Sequence, residues 1–212
     1  MPRSSSPAGR RTAARESFAN AAETIGPCVA GMSLFAITRG QWSMIDAVLH
    51  CLDQVGKAKV SLWTWTVAEY EVQVLTRLRV DGRVTNGRLV IDHGAKVKNS
   101  LIIADWKSQF GPGSVRYVVN HAKIATVESE SGLKFLLRGS MNLNFNPRFE
   151  QFDISEGGPE FELVKEIEDE LPTLEDDSSG AEVYAGSKIG NAFSPGELTL
   201  FNSVKTWKPT PK

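Results

Sequence analysis

A hairpin pattern in the sequence HAKIATVESESGLKFLLRG is the feature that most constrains the fold. Residues 121–127 alternate at the two-residue period of a β-strand, so His121 and Lys123 are expected on one face of that strand, about 7 Å apart. Residues 128–132 are polar and end in glycine, which is typical of a turn between two strands. Residues 133–138 then predict the returning strand.

The returning strand carries the sequence GSMN, at 139–142, back to the end of the hairpin at which His121 begins. An imidazole, an ammonium, a hydroxyl and a carboxamide would then occupy one small volume, contributed by His121, Lys123, Ser140 and Asn142. One nucleophile, one fixed cation and two neutral hydrogen-bond donors suit a phosphoryl group. The pattern therefore indicates phosphoryl chemistry at this end of the hairpin.

The two short motifs resemble a known signature. His-Ala-Lys at 121–123, followed by GSMN, resembles the HxK…GSxN signature of the phospholipase D superfamily, and the longer run RGSMNLNFNPRFEQFDISEGG resembles its phage and prophage members. The resemblance covers roughly residues 33–172. One departure is Glu128, which stands where the family has an aspartate, and the interval from Glu128 to Gly139 is longer than the common spacing. The predicted turn accommodates both changes.

The resemblance implies a mechanism and a role for each motif residue. His121 would attack phosphorus to give a phosphohistidine, which water then hydrolyses. Lys123 and Asn142 would hold the phosphate oxygens, and Ser140 would be a further donor. No cofactor and no metal ion is implied.

A carboxylate is expected to orient the attacking imidazole through its other nitrogen. In the family an acid lies about 14 residues beyond the glycine of the motif, which corresponds to Asp153 here, and Glu150 is the alternative. Arg138 and Asn144 are further candidates for contact with the substrate.

Four side chains are candidates for a supporting role, namely Glu128, Glu150, His93 and Trp65. Two interpretations of Trp65 are open: an aromatic core residue between sheet and helix, or a residue of the substrate pocket or of a subunit contact. His93 follows a predicted strand, at the edge where α/β proteins bind ligands. It either lines a pocket there or is a loop histidine with no part in catalysis.

The remaining periodicity predicts alternating strands and helices. The expected helices cover 41–55, 67–80, 100–110 and 159–171, and the expected strands cover 33–38, 59–66, 88–92 and 114–119. A strand, a helix and a strand in succession predict a right-handed βαβ crossover. The expected fold is therefore α/β, with a mixed, largely parallel sheet flanked by helices on both faces, and the resemblance implies a phospholipase D-like half-unit.

Charge and composition divide the chain into three parts: a flexible basic tail over 1–27, a catalytic domain over 28–172, and an acidic linker and tail with a short amphipathic segment over 173–212. Residues 156–177 hold ten acids and one lysine, a net charge of −9. Because the whole chain carries −1 and residues 181–212 carry +2, residues 1–155 carry +6. A basic catalytic part favours a polyanionic substrate.

Several classes of protein are disfavoured. No apolar run approaches the roughly 18 residues of a membrane span, and the N-terminal region lacks the apolar core of a secretory signal. Cys28 and Cys51 are the two cysteines and are expected to be reduced thiols. The sequence has no CxxC or HExxH spacing, so no metal site is predicted. These features indicate the cytoplasm of a bacterium or of a phage-infected host, and favour nucleic acid over lipid.

The family's chemistry uses two histidines, one that attacks and one that protonates the leaving group, whereas this chain carries one motif. The sequence therefore predicts a homodimer with the site shared between two subunits. The predicted activity is a metal-independent phosphodiester hydrolase, a phospholipase D-like endonuclease. The alternatives are a non-catalytic or weakly catalytic DNA-binding or regulatory phage protein on the same fold, or a phospholipase.

Overall fold

The secondary structure follows the alternation that the sequence predicts. A computed structural model of the protein describes residues 11–17, 20–144 and 147–171. The strands are β1 (Arg11–Ser17), β2 (Met32–Thr38), β3 (Ala58–Thr64), β4 (Val84–Asp92), β5 (Val115–Val118), β6 (Ile124–Ser129), β7 (Lys134–Gly139) and β8 (Glu150–Glu156). The helices are α1 (Ala21–Ile25), α2 (Met44–Val55), α3 (Glu69–Val80), α4 (Ala95–Lys98), α5 (Ser100–Phe110) and α6 (Pro159–Glu170).

The strands of the described residues form one mixed sheet in the order β1-β2-β8-β7-β6-β3-β4-β5. Strands β3, β4 and β5 pair in parallel, as the βαβ pattern predicts, and so do β1 and β2. The four pairs of neighbours in the middle of the sheet are antiparallel, namely β2–β8, β8–β7, β7–β6 and β6–β3. The prediction of an α/β fold with a mixed sheet is confirmed, but the sheet is not largely parallel. Tight connections such as the β6–β7 hairpin suit antiparallel neighbours, whereas parallel ones need a long crossover.

Helices cover both faces of the sheet, as predicted, but unequally. The main core lies between the sheet and helices α1, α2, α3 and α5, and we call this side the four-helix face. Its strand residues include Leu62, Leu89, Ala125, Leu137 and Ile154. Helix α6 covers the opposite side, the α6 face, where Phe161 and Val164 pack on Leu136, Trp63 and Ile124.

The N-terminal region differs from the flexible tail predicted over 1–27. Residues 11–17 form β1, which extends the sheet beyond β2. The side chain of Asn20 then accepts a hydrogen bond from the backbone N–H of Glu23 (2.9 Å), which caps α1, and Ala21 and Ile25 are buried in the main core. The domain therefore begins before residue 28. The linker and tail predicted over 173–212 lie outside the described residues.

Candidate functional site

The strand directions bring the candidate residues to one edge of the sheet. Strands β2, β3, β4, β5 and β7 end at this edge, and the antiparallel strands β6 and β8 begin there. The residues at these strand ends include Trp65, His93, His121, Ser140 and Glu150. We call this the site edge. The strand directions therefore place these residues along one edge of the sheet, and this edge includes the ends of more strands than the hairpin itself.

His121 and Lys123 lie side by side in the segment that leads into β6. The Nζ of Lys123 lies 3.4 Å from Nδ1 of His121, and it donates to the backbone carbonyl oxygen of His121 at 2.9 Å. The imidazole is exposed, whereas the lysine is half-buried. Partial burial lowers the pKa of Lys123 from its ordinary value, and the nearby charge of Glu150 raises it. A fixed cation thus lies beside an accessible imidazole.

Asn120 fixes the backbone that carries His121, and the motif analysis did not find it. Its buried side chain donates to the carbonyl oxygens of Thr64 (3.0 Å) and Val90 (3.3 Å) and accepts from the N–H of Ala122 (2.9 Å). These bonds tie the ends of β3 and β4 to the residues on either side of His121. The available signal was a short polar residue between the end of a buried strand and the histidine, a position where such residues bond to the backbone.

Ser140 and Glu150 form a second pair at the site edge. The hydroxyl of Ser140 donates to Oε2 of Glu150 and accepts from the N–H of Gln151 at 2.9 Å. In the alternation of β8, Glu150 faces the same side as Phe152, which is the four-helix face. Lys123 faces that side too, which is consistent with the effect of Glu150 on the pKa of Lys123. Glu150 is therefore the carboxylate on the side of the histidine–lysine pair.

Asp153 and Arg138 lie on the other side of the sheet. They oppose each other on β8 and β7, and Arg138 also opposes Ile124, which packs on the α6 face. Side chains directly opposite in a sheet share a face, so all three point towards the α6 face. The carboxylate of Asp153 accepts from the side chain of Gln151 at 2.8 Å. The sequence count selected Asp153, and the alternation of β8 instead favours the alternative, Glu150.

The loop after Ser140 is attached to the start of α2. The N–H groups of Met44 and Ile45, which have no partner within their own helix, donate to the carbonyl oxygens of Asn142 (3.2 Å) and Leu143 (3.4 Å). The side-chain oxygen of Asn142 is buried and has no hydrogen-bond partner within the described residues. Asn144 is exposed. Asn142 is therefore held by its backbone, and its side chain is not committed to another group through that oxygen.

The remaining candidates are divided between the site edge and the far end of the hairpin. Glu128 lies near the end of β6, about 23 Å along the strand direction from His121, where its carboxylate is 4.0 Å from Nζ of Lys59. His93 follows β4 at the site edge, and its backbone N–H donates to the carbonyl oxygen of Val118 at 2.9 Å. The ring of Trp65 lies 6.1 Å from that of His121, centroid to centroid, with a tilt of 48°. The ring of Trp65 is therefore a neighbour of the imidazole of His121, whereas Glu128 is remote from it.

No group of three or more histidine, cysteine, aspartate or glutamate side chains placed to hold a metal ion occurs in the described parts of the chain. Within those same residues, no helix combines the length and apolar character that a membrane span requires.

Comparison with known proteins gives a limited result. No protein-family model matches the chain, and no curated protein sequence matches it. The chain is similar in structure to a phospholipase D family member. That protein is Nuc from Salmonella typhimurium, at 17% identity and a TM-score of 0.43, and the similarity covers 65% of this chain and 91% of that one. Because the identity and the score are low, the functional assignment rests on the geometry of the site.

Proposed function

We propose that this protein is a phosphodiesterase of the phospholipase D type and that His121 is its nucleophile. The observation that carries the proposal is the exposed imidazole of His121 with the ammonium of Lys123 at 3.4 Å, at an edge where a hydroxyl and a carboxylate also meet. An unprotonated ring nitrogen attacks phosphorus, and a P–N bond forms as the bond to the leaving oxygen breaks. Water then breaks the P–N bond and restores the imidazole.

The other site residues take their roles from their positions. Lys123 neutralises an oxygen of the phosphate, and Asn142 and Ser140 are hydrogen-bonding partners of the same group. Glu150, rather than Asp153, is the supporting carboxylate, because it faces the side of Lys123. Its charge favours the protonated form of that lysine.

The leaving oxygen requires a proton, and the chain carries one HxK motif. The other two histidines, His50 and His93, are not followed by a lysine two positions on, and Nε2 of His50 on α2 lies 2.7 Å from the carbonyl oxygen of Gly26. We propose that His121 of a second subunit is the acid, in a twofold dimer with the site between the subunits. Val119, which is exposed two residues before His121, is an apolar contact available for that association.

Nucleic acid is the proposed substrate, and hydrolysis is expected to continue in the presence of EDTA because Lys123 meets the phosphate charge. The test is an assay with EDTA on a chromogenic phosphodiester, on single-stranded DNA and on duplex DNA. His121→Ala should lower the rate on every substrate by about a hundredfold or more.

The matched control is His50→Gln, which keeps a hydrogen-bond donor for Gly26 and should retain the wild-type rate. Equal rates for His121→Ala and wild type would contradict the proposal. DNA binding by the wild type without hydrolysis of any substrate would favour a DNA-binding module instead.

A further inference from the structure

Two large aromatic side chains at the site edge, Trp65 and Phe149, are exposed. Trp65 is 51% exposed and Phe149 is 66% exposed, and in the strand order their backbones lie on either side of the strands that carry His121 and Ser140. An indole and a phenyl ring left in water forgo the burial that normally stabilises large apolar side chains. Their position beside the site indicates a ligand that covers them.

Trp65 is held in place by its neighbours. The hydroxyl of Thr64 donates to the carbonyl oxygen of Thr66 at 2.7 Å, across Trp65, and the carbonyl oxygen of Thr64 accepts from Asn120 at 3.0 Å. The same asparagine fixes the backbone around His121. The backbones that carry the indole and the imidazole are therefore tied to the same asparagine, which limits the backbone freedom that a ligand must remove on binding.

Phe149 lies on the other side of the motif, directly before Glu150. The guanidinium carbon of Arg39 lies 5.1 Å from the centre of its ring. In the strand order, Phe149 precedes β8 and Trp65 follows β3, so three strand spacings of about 4.8 Å, or about 14 Å, separate their backbones. The two strands between them carry Ser140 and His121.

An edge with a ring, a phosphate-binding group and a second ring matches a chain of alternating bases and phosphates. Proteins that bind single strands place bases on aromatic rings and phosphates on cations, here Lys123 and Arg39. In a duplex the bases are already stacked on each other and do not reach such rings.

We propose that Trp65 and Phe149 are base-stacking platforms on either side of His121 and that the protein therefore prefers single-stranded over duplex nucleic acid. This inference rests on the proposed phosphodiesterase function and names its substrate class. A phosphate bound at His121 would have one flanking base on Trp65 and another, a few nucleotides away, on Phe149.

The test compares the binding of two labelled probes by fluorescence anisotropy. One is a short oligothymidylate, and the other has the same length and phosphates but abasic sugars in place of the nucleosides. The protein used is His121→Ala, so that cleavage does not interfere. It should bind the oligothymidylate about tenfold more tightly than the abasic chain, as expected for stacking on an aromatic ring. Trp65→Ala and Phe149→Ala in that background should each lose part of this preference and the double variant most of it, whereas Trp65→Phe should keep most of it.

The matched control is Tyr70→Ala, which removes an equally exposed aromatic side chain, 60% exposed, on the first turn of α3. It should retain the preference for bases. Equal affinity for the two probes would overturn the inference, and this comparison needs no Trp65 variant to fold. Dissociation of Trp65→Ala into monomers, with the preference for bases unchanged, would identify Trp65 as a subunit contact and also overturn it.

The result also separates this inference from the proposed function. If the wild type hydrolyses a chromogenic phosphodiester but the two probes bind equally, the result supports the phosphodiesterase function and contradicts the base-stacking sites. If the preference for bases depends on Trp65 but no substrate is hydrolysed, the result supports the base-stacking sites and contradicts the phosphodiesterase function.

Discussion

At the residue scale, Glu150 and Asp153 lie three residues apart on one strand, and this odd interval is the reason that we propose Glu150 rather than Asp153 for the site. Side chains of a strand alternate between its faces, so an interval of three places the two carboxylates on opposite faces. A count of residues from Gly139 does not contain that information, because the loop before β8 has no fixed period. The structure supplies it through the pairing of Asp153 with Arg138.

The pH dependence of activity should distinguish these two carboxylates. Partial burial lowers the pKa of Lys123, and the charge of Glu150 raises it. Glu150→Gln removes the raising effect, so the pKa of Lys123 should fall further and the ammonium should lose its proton at a lower pH. The alkaline limb of kcat/KM should therefore move to lower pH than in the wild type.

The matched control for this prediction is Asp153→Asn, which neutralises a carboxylate on the opposite face. Its alkaline limb should coincide with that of the wild type. An alkaline limb that moves with Asp153→Asn, or that stays in place with Glu150→Gln, would contradict the assignment.

Motif residues were predictable at the residue scale, but the residues that position them were not. His121, Lys123 and Ser140 are recognisable because their spacing resembles a known signature. Asn120 acts through bonds to Thr64 and Val90, which are 56 and 30 residues away in the chain. A sequence does not reveal such partners before the strand order is known.

At the scale of elements, Gly139 determines how closely β7 and β8 approach below the site. A Cβ at this position would overlap the carbonyl oxygen of Gln151 and lie 3.2 Å from Cα of Phe152. Directly after it, the N–H of Ser140 donates to the same carbonyl oxygen at 3.0 Å. Gly139 thus lets the two strands position the serine hydroxyl.

Replacement of this glycine should damage both stability and activity. Gly139→Ala should force β7 away from β8, with a loss of about 1–3 kcal/mol in the free energy of unfolding, as for other overpacked sites. The displaced Ser140 should also lower kcat. Thermal unfolding and steady-state kinetics measure the two effects.

The matched control is Gly113→Ala, because a Cβ at Gly113 meets no atom within 4 Å. It should change neither quantity appreciably. A Gly139→Ala protein as stable and as active as the control would show that the close approach is not required.

Helices and strands with a regular spacing of apolar residues were predictable from the sequence, whereas strand β1, which lacks such a spacing, was not. Helix α6 follows from its apolar spacing and from Pro159 at its start, and the structure confirms it. Strand β1 has the sequence RTAARES, which has no apolar alternation. It forms because its backbone pairs with the edge of β2, and such pairing depends on context more than on local preference.

At the scale of the whole molecule, the acidic helix α6 lies on the face of the sheet opposite to Lys123. The carboxylate of Glu168 on α6 is fully buried, and it accepts hydrogen bonds from Ser61, from Nε1 of Trp63 (2.8 Å) and from Lys165 (2.6 Å). This anchor holds the acidic helix on the α6 face, whereas Lys123 faces the other side. The acidic side chains of α6 are therefore carried on the other side of the sheet from the proposed phosphate-binding lysine.

The proposal of a site shared between two subunits makes a prediction about mixed dimers. If each site needs His121 from two subunits, a dimer with one His121→Ala chain is inactive or stalls. Random pairing of equal amounts of wild-type and mutant chains would leave about a quarter of the dimers fully wild type. Activity should therefore fall faster than the fraction of wild-type chains, and light scattering should show a dimer at micromolar concentration. A monomer with full activity, or a loss proportional to mutant content, would contradict the shared site.

The central claim is that His121 forms a covalent bond to phosphorus, and trapping that bond tests it most directly. Wild-type protein is mixed with a phosphodiester labelled at phosphorus, quenched within one turnover and mapped under alkaline conditions, in which phosphohistidine is stable. We predict an acid-labile label on the peptide that contains His121, absent from the His121→Ala protein and formed as fast as the substrate turns over. Turnover without any labelled residue, or a label on a residue other than His121, would contradict the account.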